Sequence, residues 1–542
     1  MPKAIPTTGW FGVVLFSALA STGVGTPPTT APLHTALRQA ATAPQLGSNT
    51  ALHQAVERDD AAAVARLIRT GADVRALNRY GAAPISLACA RGNADIIEQL
   101  IKAGADVNTA LPEGETCLMS AAGTGNLRAV RALLVRGANV NLIEGWRGQT
   151  ALMWAAAEGH GPVVDALIEA GADVNARSKA GFTPLLFAVR QGSVPAVRSL
   201  VKANANVNDI AKAAAISSNS TSKPASDATS ALALAVINAH FEVAGVLVES
   251  GADPNVPDAR GSILHALAWI RKPGAAGGDQ APPPPTGSLD SLGLAEVLLK
   301  HGANPNVRIG WDEIPFDRDD GEVKSPPNIR VGRDYLSLVG ASPFYLAAKN
   351  GDVELMRMLV KHGADPLLPT VQNINPLMAA AGLGTWAGET PGPLNGTPEV
   401  ERLEAVKLAM ALGNDINAIA DFGDVSIVGD PIELFTSYPK NLEQLPEDAL
   451  GDMRWNGSTA LHGAATSNQQ SIIRYLVDNG AKLDARNKLG WTPLMIAEGG
   501  QFGATVKEFP EAAALIRTLM RDRGMDPEQF SKAGAKRVAT VR

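Results

Sequence analysis

Apolar and polar positions recur along this chain in a fixed order. In IIEQLIKAGADVN (96–108), Ile96, Ile97, Leu100 and Ile101 fall on one helical face, and Gly104 stops the helix. Nearly the same string returns as AVRALLVRGANVN (129–141), VVDALIEAGADVN (163–175) and LAEVLLKHGANPN (294–306). A helix this short buries one face only and is marginal alone. A chain that repeats it is expected to stack the copies on one another.

The helix-ending residues set the period. Gly71, Gly104, Gly137 and Gly171 are separated by steps of 33, 33 and 34, and Asn204 follows after another 33. Asn is the other common residue that tolerates a left-handed backbone, so it keeps the stop. Gly251, Gly302, Gly363, Gly413 and Gly480 follow at gaps of 47, 51, 61, 50 and 67. The unit persists there with inserted material. A second landmark lies about ten residues before each such helix: TALHQA (50–55), TALMWA (150–155), TPLLFA (183–188), SPFYLA (342–347), TALHGA (459–464) and TPLMIA (492–497). Thr or Ser caps a helix start, and Pro fits its first turn. Each unit therefore reads as turn, short helix, tight link, second helix and Gly stop.

With T-P-L-H-x-A followed by G-A-D-V-N at this period, the sequence resembles the ankyrin repeat over residues 47–524. The resemblance implies an all-α repeat solenoid: antiparallel helix pairs carrying β-turn fingers, stacked in about 11 units, the last at 490–524. Inserts interrupt the array at 210–228, 272–290, 310–339, 385–398 and 422–455, and the four consecutive prolines of the second cannot be helix interior. Long inserts are tolerated because loop closure costs little with length. Residues 525–542 form a basic C-terminal tail.

Composition changes the picture in two places. Hydrophobics reach 45% while aromatics are only 5%, which suits thin, closely packed Ala-rich helices. The formal charge is −6 from 48 basic and 54 acidic residues, a near balance that gives no reason to expect nucleic acid. The N-terminus reads as an address. Lys3 precedes WFGVVLFSALA (10–20), an apolar run of 11 residues ending in small residues. That is the pattern of a signal peptide (1–20) and is too short to span a bilayer, which takes about 20 residues. Residues 21–46, rich in Pro, Thr and Ala, form a linker. The chain is expected to be exported, periplasmic or secreted, with no membrane span after cleavage; its Ala-rich units have a bacterial look.

Cys89 and Cys117 each lie in an apolar helix, where Cys usually behaves as a small buried hydrophobe. The register implied by the resemblance sets opposite ends of neighbouring helices about two turns, or ~11 Å, apart. A disulfide needs Cα atoms within roughly 7 Å, so free thiols are expected.

The motifs of catalysis are missing from the sequence: no G-x-S-x-G, H-E-x-x-H, phosphate-binding Gly-rich loop or Cys-x-x-Cys occurs. Asp317, Asp319 and Asp320 do not meet the spacing of a calcium loop. No catalytic residue, metal or cofactor is expected. His53, His265 and His462 occupy the T-P-L-H position, where the resemblance implies a structural imidazole linking neighbouring turns. In this family the residues beside the finger Gly and at the end of the first helix face the concave groove. Here these are Arg79, Tyr80, Arg91, Glu113, Glu115, Trp146, Arg147, Glu158, Lys179, Phe182, Arg190, Trp455 and Trp491. Trp and Tyr beside Arg is the composition of binding hot spots. Trp146 sits in the polar, Gly-flanked tip EGWRG, whereas Trp154 and Trp269 fall on first helices and are expected in the core. The expected activity is non-catalytic protein binding by a monomer. A hydrolase or metal-dependent enzyme built from the inserts at 310–339, 385–398 and 422–455, or an exported effector binding a host protein, are the alternatives.

Overall fold

The computed structural model describes residues 49–212, 228–256, 261–271, 285–309, 336, 338, 340–384, 397–421, 455–499, 501–502, 505–506 and 508–532. The expected signal peptide and linker (1–46) lie outside these residues. So do most of the inserts and the end of the tail.

Among the described residues, twenty-two α-helices form eleven antiparallel pairs. The regular part contains α1 (Ala51–Glu57) with α2 (Ala61–Arg69), α3 (Pro84–Arg91) with α4 (Ala94–Lys102), and α5 (Cys117–Thr124) with α6 (Leu127–Val135). It continues with α7 (Ala151–Ala157) and α8 (Gly161–Glu169), then α9 (Pro184–Gln191) and α10 (Val194–Lys202). The later pairs are α11 (Ala231–Ile237) with α12 (Phe241–Glu249), α13 (Ile263–Arg271) with α14 (Ser291–Lys300), and α15 (Pro343–Lys349) with α16 (Val353–Lys361). The last three are α17 (Pro376–Ala380) with α18 (Glu399–Ala411), α19 (Ala460–Thr466) with α20 (Gln470–Asp478), and α21 (Pro493–Ala497) with α22 (Pro510–Asp522). First helices stack on first helices and second on second, giving two layers with one continuous apolar core. A short hairpin, β1 (Ile210–Lys212) with β2 (Ala228–Ser230), closes the root of the first insert, and β3 (Gln501–Phe502) pairs with β4 (Thr505–Val506) in the last unit. Beyond α22, a 3-10 turn at Pro527–Phe530 folds back, and the Thr492 hydroxyl donates to the Phe530 carbonyl at 2.7 Å.

Local sequence sets each pair. Thr116, Thr150 and Thr183 cap first helices by accepting backbone N–H groups three residues on, and Asn93, Asn126 and Ser193 do the same for second helices. The stripe Ile96, Ile97, Leu100 and Ile101 on α4 is buried. At its end Gly104, with φ +93°, donates to Ile101 O, and Ala105 donates to Leu100 O, each at 3.0 Å. That is a Schellman stop. Asn204 makes the same stop at φ +64°.

The terminal Asn of each G-A-D-V-N string joins one unit to the next. Asn108 donates to Gly137 O and accepts from Asn139 N; Asn141 does the same with Gly171 O and Asp173 N. The ladder continues across the long gaps through Asn208, Asn255, Asn306 and Asn417, which reach Gly251, Gly302, Gly363 and Gly480. The stacking therefore persists where inserts lengthen the step. Two inserts split helix pairs, and cations close the structure beneath them. Arg271 bridges to the buried Asp352 at 2.7 Å, and the buried Arg402 donates to Lys349 O and Ala380 O.

Cys89 and Cys117 form a disulfide, with Cα atoms 5.3 Å apart, which corrects the expected free thiols. The offset between these helices is one turn, not two. Cys117 Sγ at the start of α5 lies 3.5 Å from Ile85 O in the first turn of α3, and Cys89 is the residue one turn beyond Ile85 on the same face. Buried alanines at Ala88 and Ala121 let the first helices approach this closely.

Candidate functional site

The fingers project from the starts of the first helices, and a buried polar anchor shapes several of them. Asn78 accepts from Tyr80 N and Ala82 N, Ser178 from Phe182 N, and Asn487 from Leu489 N and Trp491 N. These Asx-type bonds substitute for a longer turn and fix the tip. In the fourth unit the loop is one residue longer, and Glu144 takes the anchor place. Its carboxylate accepts from Trp146 N (2.6 Å), Arg147 N (2.8 Å) and Gln149 N (2.8 Å). Burial opposes its ionisation, but these backbone donors and the charge of Lys179 outweigh that and hold the carboxyl below the usual glutamate range.

Neighbouring fingers are tied edge to edge. Gly145 N donates to Glu113 O at 2.6 Å, Lys179 N to Arg147 O at 2.8 Å, and the Lys179 ammonium to Gly145 O. Gly148, at φ +68°, would bring a Cβ within 3.1 Å of Lys179 N, so only glycine permits this contact. On the fingers Tyr80 is 63% exposed, with the Arg79 guanidinium 4.7 Å over its ring; Trp146 is 72% exposed, with Arg147 at 4.2 Å. Behind them Arg190, at the end of α9, stands 5.8 Å from the Phe182 ring centre and 5.3 Å from Phe187. Burial and the nearby Arg147 charge lower its pKa. Arg91, Glu113, Glu158 and Lys179 are exposed on the same side, and Glu115 accepts from the Ser120 hydroxyl at 2.7 Å. The fingers and first helices of units two to five thus present exposed ring faces flanked by guanidinium and carboxylate groups, a surface able to grip a polypeptide.

A family model described as ankyrin repeats in three copies matches residues 31–110, 52–144, 85–178, 118–211, 175–258 and 432–507. A single ankyrin-repeat model matches 339–371. Together they cover more than half of the chain. The chain is an ankyrin-repeat protein.

Within this ankyrin stack the histidines at the T-P-L-H position serve the architecture. His265 Nδ1 accepts from Ser262 N at 3.0 Å and its Nε2 donates to Ala341 O at 3.0 Å; His462 does the same with Thr459 N and Trp491 O. Burial drives the pKa of both to about 4. His53 links Thr50 to Ala82 O in the same way. Trp455 departs from its expected place on the groove: it is 1% exposed. Its finger turn is shifted by one residue, closing from Ser458 N to Trp455 O where unit two closes from Gly81 N to Asn78 O. The shift gives Trp455 the inward anchor position. Phe182 and Trp491 are half-buried and pack on the core. Trp154 is also only half-buried, lying against Gly123 at the groove, so the core expected for it is incomplete. Among the described residues no cluster of three or more His, Cys, Asp and Glu could hold a metal, and no helix is long and apolar enough to cross a membrane. The inserts proposed as an enzymatic centre lie almost wholly outside the described residues.

Proposed function

We propose that this ankyrin-repeat protein is a non-catalytic scaffold that binds another protein along the fingers and first helices of units two to five. The observation that carries the reading is Trp146, largely exposed yet held on a hydrogen-bonded loop with Arg147 over its ring. An ordered, exposed aromatic costs little entropy on binding and offers a large apolar face, as hot spots do. Ankyrin repeats generally serve protein interaction, which supports the same assignment. Affinity capture with the chain lacking residues 1–20, followed by titration of the captured partner, tests it. Trp146→Ala should lower affinity by at least ~2 kcal/mol, about thirtyfold. Its stability should change by about 0.5 kcal/mol or less, as for an exposed side chain. A large drop in melting temperature with unchanged affinity would overturn the assignment.

Export is part of the proposal. The apolar run ending at Ala20 and the Cys89–Cys117 disulfide support it together, because disulfides persist in oxidising compartments. The exported chain should begin at Ser21, which intact mass of the secreted or periplasmic protein checks.

A further inference from the structure

The outer face of the stack, opposite the fingers, carries a cleft of ≈ 600 Å³ between α4 and α6. Its floor is apolar: Ile101 and Leu127 lie at the base, and Val135 at its edge is 82% exposed. Val135 lies outside the buried stripe of α6, which is Ala129, Val130 and Leu133. The rim is basic. Lys102, Arg131 and Arg136 stand around the floor, and none has an acidic partner within 4.0 Å among the described residues. The fourth cation, Arg128, is occupied, bridging Asp95 at 2.7 Å and Glu98 at 2.9 Å on α4. These pairs link α4 to α6 across the surface.

An apolar trough with three uncompensated cations around it is complementary to a ligand with an apolar ridge and acidic flanks. The two helices run side by side for 9 residues each, about 13 Å. A trough of that length accepts the ridge of a third helix, whose side chains at i, i+4 and i+7 point down into it. A bilayer is the poorer fit, because a flat surface does not reach the floor between two helices. We infer that the α4–α6 cleft is a second docking site, for an acidic amphipathic helix of a partner protein. It shares no residue with the finger surface, so both faces can be occupied at once.

The test uses the full chain and a labelled synthetic helix with Leu at i, i+4 and i+7 flanked by Glu, beside the same helix carrying Lys for every Glu. The Glu helix should bind and the Lys helix should not, with binding weakened by salt as exposed charges are screened. Arg131→Glu with Arg136→Glu should lower affinity for the Glu helix at least about tenfold and give measurable affinity for the Lys helix. Lys102→Glu, a reversal from the other wall, should act in the same direction should the double variant unfold. Trp146→Ala should leave helix affinity unchanged, which separates this site from the finger surface. Absence of Glu-helix binding, equal binding of both helices, or binding that survives charge reversal on both walls would overturn the proposal.

Discussion

Glu144 holds three backbone N–H groups in the loop that carries the exposed Trp146. Its carboxyl is held below the ordinary glutamate range, so its contribution to stability is present above the unfolded-state pKa and is lost as pH falls through the lower folded value. Glu144→Gln keeps the shape and removes the charge, and buried charge-assisted bonds lose about 1–3 kcal/mol in such changes. Denaturant melts of the two proteins should therefore differ near pH 7 and converge in strong acid; a gap independent of pH would contradict the anchoring role. Position along the unit suffices to place Trp146, Arg147, Tyr80 and Arg79 on the exposed edge. It fails for Trp455, because exposure depends on which residue closes the turn, and a one-residue shift leaves no mark in the spacing of glycines. It also passes over Glu144, since the anchors of the neighbouring regular fingers include Asn78 and Ser178 and a carboxylate there reads as one more surface charge.

The helix pair was legible because three local signals agree: an apolar stripe, a capping side chain and a left-handed stop. The stop can be tested alone. A Cβ at Gly104 would meet nothing within 4 Å, so any penalty there comes from the +93° φ and not from crowding. Gly104→Val should lower the melting temperature clearly, because β-branched residues strongly resist positive φ. Gly104→Asn should be much milder, since Asn204 performs the same turn at φ +64°. Equal melting temperatures for the two variants would remove the role assigned to the stop. The pattern of the elements did not reveal what joins them. The Asn ladder was hidden because its partner is a backbone carbonyl one whole unit away, and the string G-A-D-V-N names only the donor.

Across the molecule the array was readable as a period, and the disulfide was not. The expected register placed Cys89 and Cys117 two turns apart; the contact of Cys117 with Ile85 shows one turn, and the remaining difference is closed by alanines small enough to let α3 and α5 nest. Relative height of stacked helices is a tertiary property that a one-dimensional period does not contain. The bond closes a span of 28 residues, for which chain-entropy arguments give about 3.6 kcal/mol of stabilisation. Thiol titration of the denatured, unreduced protein should find no free groups, and reduction or a Cys89→Ala, Cys117→Ala pair should lower the stability of the regular half by about that amount. Two titratable thiols in protein isolated without reductant would contradict the bond.

The bond has a mechanical meaning as well. A stack whose units touch only their neighbours peels under tension one unit after another, each released segment lengthening the tether. The crosslink shunts the load past the residues it encloses. That part of the chain pays out no length however hard the ends are pulled, and at ~3.5 Å per residue the 28-residue span withholds roughly 100 Å from the fully drawn strand. The regular half thus behaves as a spring with one coil soldered shut, placed between α1 and the Trp146 finger, so that a pull from α1 reaches that finger through a segment of fixed length.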